Sequence, residues 1–165
     1  MASGRSPQTV ATQVRWLDDD EMATWLLMVE VNTAIQAAIE EDLAPHGLTS
    51  GDYGVLARLS GSPDHRLRMC DLAEFLHVSP SGLTRRLDGL VRDGFVAREP
   101  SVDDRRVMLA VLTDDGYKKL QGVAPAHVAT VRRQFIDHLS RAQLRSVSAA
   151  LRAVQNGTDS FRGSD

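Results

Sequence analysis

Cysteine occurs once in these 165 residues, as Cys70. That excludes an internal disulfide framework and suits a reducing compartment. No apolar run is read as approaching the roughly 18 residues that span a bilayer, and no apolar stretch follows Met1. A soluble, cytoplasmic, single-domain chain with no membrane association is therefore expected, long enough to bury a core without staples. Glycine-rich phosphate loops, nucleophile elbows and His-Glu zinc helices are missing as well, so no catalytic residue and no cofactor is expected and the chain reads as a non-enzyme. His46, His65, His77, His127 and His138 form no compact metal-ligand pair, so no metal is expected. Acid pairs such as Glu40-Glu41 sit at helix ends, where capping and dipole compensation account for them. Cys70 reads as a buried structural thiol, its redox activity left open by the sequence.

One further absence is local. Between Trp16 and Asp52 there are nine acids and no Lys or Arg, whereas Arg66 to Arg106 carries eight arginines against seven acids. From Val107 onward eight bases face five acids. Such asymmetry suits a chain of which one part meets a polyanion.

The pattern of what remains is mostly helical. Residues 1–15 are polar and aperiodic and read as disordered. Asp18 to Asp20 supply N-cap candidates for a long helix that stops at Pro45-His46-Gly47. Met22, Trp25, Leu26 and Val29 form one apolar face, and Leu27, Val31, Ala34, Ile35 and Ala38 the opposite one. A helix apolar on two sides must be covered on two sides, most simply by a second copy of the chain. Trp25, Met28 and Tyr53 are candidate linings of a ligand cleft, though core or dimer packing is the better reading of each taken singly.

Thr49 caps a second helix, and a short third helix runs from about Asp71 to Leu76. Ser79-Pro80 starts a fourth, ending at Gly94. Phe95 to Arg98 and Arg105 to Leu112 read as a hairpin, the second strand alternating Val107, Leu109 and Val111 with Arg106, Met108 and Ala110. Thr113 caps a fifth helix reaching about His138, with a stripe of Tyr117, Leu120, Ala124, Val128, Val131 and Phe135. Ser140 and Gln143 open a sixth. The expected class is mainly α with a small β-hairpin wing: a winged helix-turn-helix of six helices, dimeric.

The chemistry concentrates in the fourth helix. With Ser81 at 0°, Arg85 falls at about 40°, Asp88 at about −20° and Arg92 at about 20°. Leu83, Leu87 and Leu90 fall opposite. A helix that enters a major groove needs that division: Ser79, Ser81 and Gly82 keep its first turn slim, Thr84 can donate to a phosphate, and Arg85 and Arg86 supply positive charge. At the hairpin tip, Arg105 and Arg106 can enter a minor groove, with Asp103 holding Arg105 in a bidentate pair.

The stretch from Leu72-Ala73-Glu74-Phe75-Leu76 through Val78-Ser79-Pro80-Ser81-Gly82-Leu83-Thr84-Arg85, then Asp93-Gly94-Phe95-Val96-Ala97-Arg98, Asp103-Asp104-Arg105-Arg106 and Leu112-Thr113-Asp114-Asp115-Gly116, resembles the MarR family of bacterial transcription regulators. The resemblance implies a MarR-like domain over residues 16–157, with the winged helix-turn-helix at about 49–112, dimerisation helices at about 18–45 and 113–157, and a tail at 158–165. It also implies a homodimer on a pseudo-palindromic double-stranded operator, acting as a repressor and released by a small aromatic or phenolic effector. No pocket residue carries over, so ligand-binding residues stay unassigned. Val107 departs from the family, where many relatives have glycine after the arginine pair. The alternative is a dimeric winged-helix adaptor whose arginines meet an acidic protein partner. Operator sequence, regulated genes and the existence of an effector are beyond the sequence.

Overall fold

The computed structural model describes residues 14–162. Most of the 1–15 segment expected to be disordered lies outside the described residues, as do the last three residues of the expected tail. The elements in order are α1 (Asp19–Leu43), α2 (Ser50–Ser60), β1 (Arg66–Arg68), α3 (Met69–Phe75), α4 (Pro80–Arg92), β2 (Val96–Pro100), β3 (Met108–Leu112), α5 (Asp114–Gln134) and α6 (Arg141–Arg162). The sixth helix thus runs into the stretch expected as tail. Contacts divide the chain into two compact units that meet within α1, between Thr33 and Ala34.

The first unit is the entry and first half of α1. Asp18 Oδ1 accepts the Glu21 N–H at 2.8 Å while Glu21 Oε2 accepts the Asp18 N–H at 3.1 Å, a reciprocal cap that fixes where the helix starts. Its apolar side chains are bare: Trp25, Leu26, Leu27, Met28 and Val29 are all exposed. The expectation about long apolar runs needs correction here. Between Glu21 and Glu40 the only charge is Glu30, and the stretch Asp19–His46 is long and apolar enough, by length and composition, to cross a bilayer. Scattered Thr, Asn and Gln break the run to the eye but leave its mean hydropathy high.

The second unit holds the core. Leu43, Leu48, Val55, Leu56, Leu59, Leu72, Leu83, Leu87, Leu90, Val96, Ala110, Leu112, Leu120 and Val123 are buried in one cluster, each larger side chain worth about 1.5–3 kcal/mol of burial. Thr49 and Asp52 close a capping box on α2. Glu40, near the end of α1, adds a second cap: its Oε1 accepts the Ser50 N–H at 3.0 Å and the Ser50 hydroxyl at 2.6 Å. This acid therefore compensates a neighbouring helix rather than its own, whose C-terminal end has the wrong sign for it.

The tight turn between α3 and α4 passes through His77 at φ 52°, and Val78 N–H returns to the Ala73 carbonyl at 3.1 Å. The sheet has three antiparallel strands in the order β1-β3-β2, one more than the expected hairpin. Arg66-Leu67-Arg68 is too short and too charged to show an apolar pattern, and it pairs with Leu109 to Val111. On β3 it is Ala110 and Leu112 that are buried, not the face of Val107, Leu109 and Val111; Leu112 sits across from buried Val96. The strand also begins at Met108, because Arg105 and Arg106 belong to the turn.

Helix α5 stops at Gln134, and Ile136–His138 continues as a single 3-10 turn. Its buried line is Gly116, Leu120, Val123 and Thr130, whereas Tyr117 and Val128 of the expected stripe are exposed. The helix is apolar on two flanks, and the inward one includes a glycine and a threonine that a count of large side chains passes over. Thr130 donates to Asp42 Oδ2, which also meets Arg133 Nη2 at 3.3 Å. Gly116 is required: a methyl there would collide with the Phe95 carbonyl oxygen.

Candidate nucleic-acid interface

Helix α4 is built for one buried and one open face. Pro80 occupies its first turn and Ser79 Oγ accepts the Gly82 N–H at 3.1 Å, so the chain enters the helix with its first amides pointing outward. Leu83, Leu87 and Leu90 are sunk in the core. Ser81, Thr84, Arg85, Asp88 and Arg92 are exposed on the other side.

The side chains on that face differ in what they are free to do. Arg85 makes no ion pair among the described residues. The Thr84 hydroxyl, expected to donate to a phosphate, donates instead to the Pro80 carbonyl at 2.9 Å. Ser79 Oγ lies 3.2 Å from Ser81 Oγ. Gly82 is half-buried, and a methyl there would come within 3.1 Å of Ser79 Oγ, so the first turn has little room for a larger side chain. Arg86 is turned away from the open face: its guanidinium fills the space over Gly51 of α2, where any side chain at 51 would overlap it. It braces α4 against α2.

Arg98 of β2 was not among the expected site residues. Its Nη1 lies 2.8 Å from Asp88 Oδ1 and its Nη2 donates to the Thr84 carbonyl at 2.8 Å. Its Nε is buried without a partner. No periodicity signals such a contact, because strand and helix meet only in the folded chain. A positive residue partly covered on a strand that opens with Val96 and Ala97 is the one local hint.

The wing is the loop between β2 and β3. Ser101 N–H reaches the Val107 carbonyl at 2.8 Å, and Val107 N–H reaches the Asp104 carbonyl at 2.9 Å. Asp104 Oδ1 accepts the Arg106 N–H at 2.9 Å, while the Asp103 N–H donates to Ser101 Oγ at 3.3 Å. The expected Asp103–Arg105 pair is therefore replaced: the acid that shapes the turn is Asp104, and it binds backbone. A two-residue reach to a main-chain N–H closes a turn more readily than a long arginine can fold back. The guanidinium groups of Arg105 and Arg106 are exposed and, among the described residues, make no ion pair.

Two neighbouring clusters complete the surroundings. Arg68 grips Asp71 through Nε and Nη2, at 2.7 and 2.8 Å, and that hydrogen bonding holds the Asp71 carboxyl below the usual carboxylate range. Cys70, expected to be buried, is exposed beside them, its Sγ 3.4 Å from Asp71 Oδ1. Position 70 lies on the outer side of the first turn of α3, opposite buried Leu72 and Ala73. Tyr53 of α2 stacks on His127 of α5 at 4.1 Å between ring centres. Burial pushes the His127 pKa down and the Tyr53 pKa up. Among the described residues no three His, Cys, Asp or Glu side chains cluster as metal ligands.

Comparison with known proteins converges on one description. The MarR family model matches residues 48–108. The transcriptional repressor YetL of Bacillus subtilis (strain 168) is 30% identical over 115 residues, 70% of this chain and 69% of that protein. The crystal structure of AbsC, a MarR family transcriptional regulator from Streptomyces coelicolor, shares 40% identity at a TM-score of 0.84, covering 91% of this chain and 99% of that one. Sco3205, a MarR family regulator from the same organism solved in complex with DNA, shares 34% identity at a TM-score of 0.84, covering 88% and 92%.

Proposed function

The chain belongs to the MarR family of transcriptional regulators, and from that premise we propose that it binds a double-stranded operator as a homodimer in the cytoplasm and represses transcription. The observation that carries this reading is α4: its leucines fill the core while Ser81, Arg85 and Arg92 stand on the open side. On a duplex, the first turn of α4 enters the major groove, where Ser81 is slim enough to let the backbone approach and Arg85 reaches a guanine edge or a phosphate. Ser79, Gly82 and Thr84 keep that turn narrow and tightly capped. Arg105 and Arg106 at the wing tip reach the flanking minor groove, where a narrow A·T tract concentrates negative potential. Arg86 acts from behind by bracing the helix.

The bare apolar side chains of α1 and, separately, those of α6 support the dimer. Leu26, Leu27, Leu151 and Val154 are more than half exposed in one chain. Two copies then present two α4 helices to half-sites about 34 Å apart. We also assign a small aromatic or phenolic effector, in keeping with the half-buried Tyr53–His127 stack, where His127 Nδ1 is left without a partner. A rise in unfolding temperature on adding a phenolic acid, abolished by Tyr53→Ala, tests that assignment.

The decisive experiment selects duplexes from random-sequence DNA and measures binding by fluorescence anisotropy at physiological salt. The selected duplex binds about 10³-fold or more tightly than a scrambled one, and affinity falls steeply with salt. Equal binding to both would redirect the arginines towards an acidic protein partner.

A further inference from the structure

We propose that Arg98 is the positioning residue of the DNA-reading face: by holding Asp88 it keeps the Arg85 guanidinium free to meet the duplex. This rests on the reading of α4 given above and adds a residue that touches no DNA itself.

The geometry of α4 creates a conflict. Arg85, Asp88 and Arg92 stand in one exposed row, with Asp88 three residues after one arginine and four before the other. Both spacings let opposite charges pair along a helix, and an acid four residues ahead of a base is the better of the two. An unrestrained Asp88 would therefore close on one of its own neighbours and withdraw that arginine from the surface. It does neither. Its Oδ1 meets Arg98 Nη1 at 2.8 Å, and among the described residues Arg85 stays unpaired while Arg92 pairs with Asp93 alone, at 3.3 Å.

Arg98 is itself held in place for this. The side chain is mostly covered, at 28% exposure, while Asp88 is 60% exposed. Its second arm is fixed on the Thr84 carbonyl at 2.8 Å. One planar fork thus binds a carboxylate and a main-chain oxygen of the same helix, an arrangement the single ammonium of lysine cannot reproduce. Burying Nε without a partner is unfavourable, so the two terminal bonds must outweigh it. Neutralising Asp88 also removes a negative charge that phosphates would repel.

The test uses full-length protein and the duplex selected by the wild type, with affinities from anisotropy and folding checked by thermal unfolding. Arg98→Met weakens binding about tenfold or more, the loss expected for silencing one reading arginine. Adding Asp88→Asn to that variant restores affinity to within about threefold, since an amide no longer captures Arg85. Asp88→Asn alone binds at least as tightly as wild type, because Arg98 already holds the carboxylate away from Arg85. Asp88→Asn restores no packing, so a purely structural Arg98 would show no rescue, and that result overturns the inference. So would weaker binding by Asp88→Asn alone, which would make Asp88 a DNA contact. Should Arg98→Met fail to fold, Arg98→Lys, which keeps the charge and one bond, carries the same test with a smaller loss and the same rescue. Failure of the wild type to select any sequence would bring down the DNA reading itself, whereas selection without rescue brings down only the role of Arg98.

Discussion

The winged lobe and the long flanking helices use apolar residues in opposite ways. In the lobe, from Leu48 to Leu112, the leucines of α2, α3 and α4 are buried to within a few per cent inside one chain. In the first half of α1, and along the described side chains of α6, none is buried and many large ones are exposed. The lobe is complete as a single copy, and the flanking helices are not. Burial of apolar area is the main favourable term in folding and association alike, so the same residue type serves the fold in one region and, in the proposed dimer, assembly in the other.

The largest effect should come from breaking that division at the flanking helices. Leu27→Glu combined with Leu151→Glu places charges in both bare surfaces. Light scattering should show a monomer, and operator affinity should fall about 10²- to 10⁴-fold as the two lobes lose their linkage. A variant that stays dimeric would erase the comparison. Next comes the lobe: Leu87→Ala, at a fully buried site, should cost about 2–5 kcal/mol in urea unfolding. Val154→Ala, at an exposed one, should stay within about 0.5 kcal/mol when both are measured in the monomeric background.

A smaller effect separates surface from core within the lobe. Arg85→Ala and Arg106→Ala should each weaken operator binding by about 1–3 kcal/mol and reduce its salt dependence, with no change in melting temperature. The smallest concerns the seam between α2 and α5. Burial lowers the His127 pKa in the folded chain, so the unfolded chain binds a proton first as pH falls. Stability is full above the ordinary histidine value of about 6.5 and is lost as pH drops through the folded value. Urea titrations across that range should show a steeper loss for the wild type than for His127→Gln.

What the sequence makes legible is whatever is encoded within a few residues. Ser79-Pro80 and the leucine spacing that follows determine the start and the buried face of α4 without outside help. Thr49, Thr113 and the Ser140–Gln143 pair likewise announce their helices. What stays hidden depends on distant partners. Arg98 meets Thr84 and Asp88 only when β2 folds against α4, and Glu40 meets Ser50 only when α1 turns back on α2. On β3 the small Ala110 is buried and the larger Leu109 is not, because the register with β2 and β1 overrides hydrophobicity. The wing shows the same limit at short range. Two adjacent acids and two adjacent arginines allow two registers, and backbone geometry selects Asp104 with Arg106.

The collision awaiting any side chain at position 116 has a consequence for how this chain can drift over generations. The Phe95 carbonyl that blocks the way also receives the Thr113 N–H at 3.1 Å, so yielding space would cost the bond that anchors the cap residue of α5. Gly122, on the same helix, faces nothing within 4 Å, and alanine there would firm the helix by about 1 kcal/mol. Two identical letters thus live under opposite regimes: one is frozen by a neighbour's oxygen, the other is a vacancy that a single nucleotide change could fill.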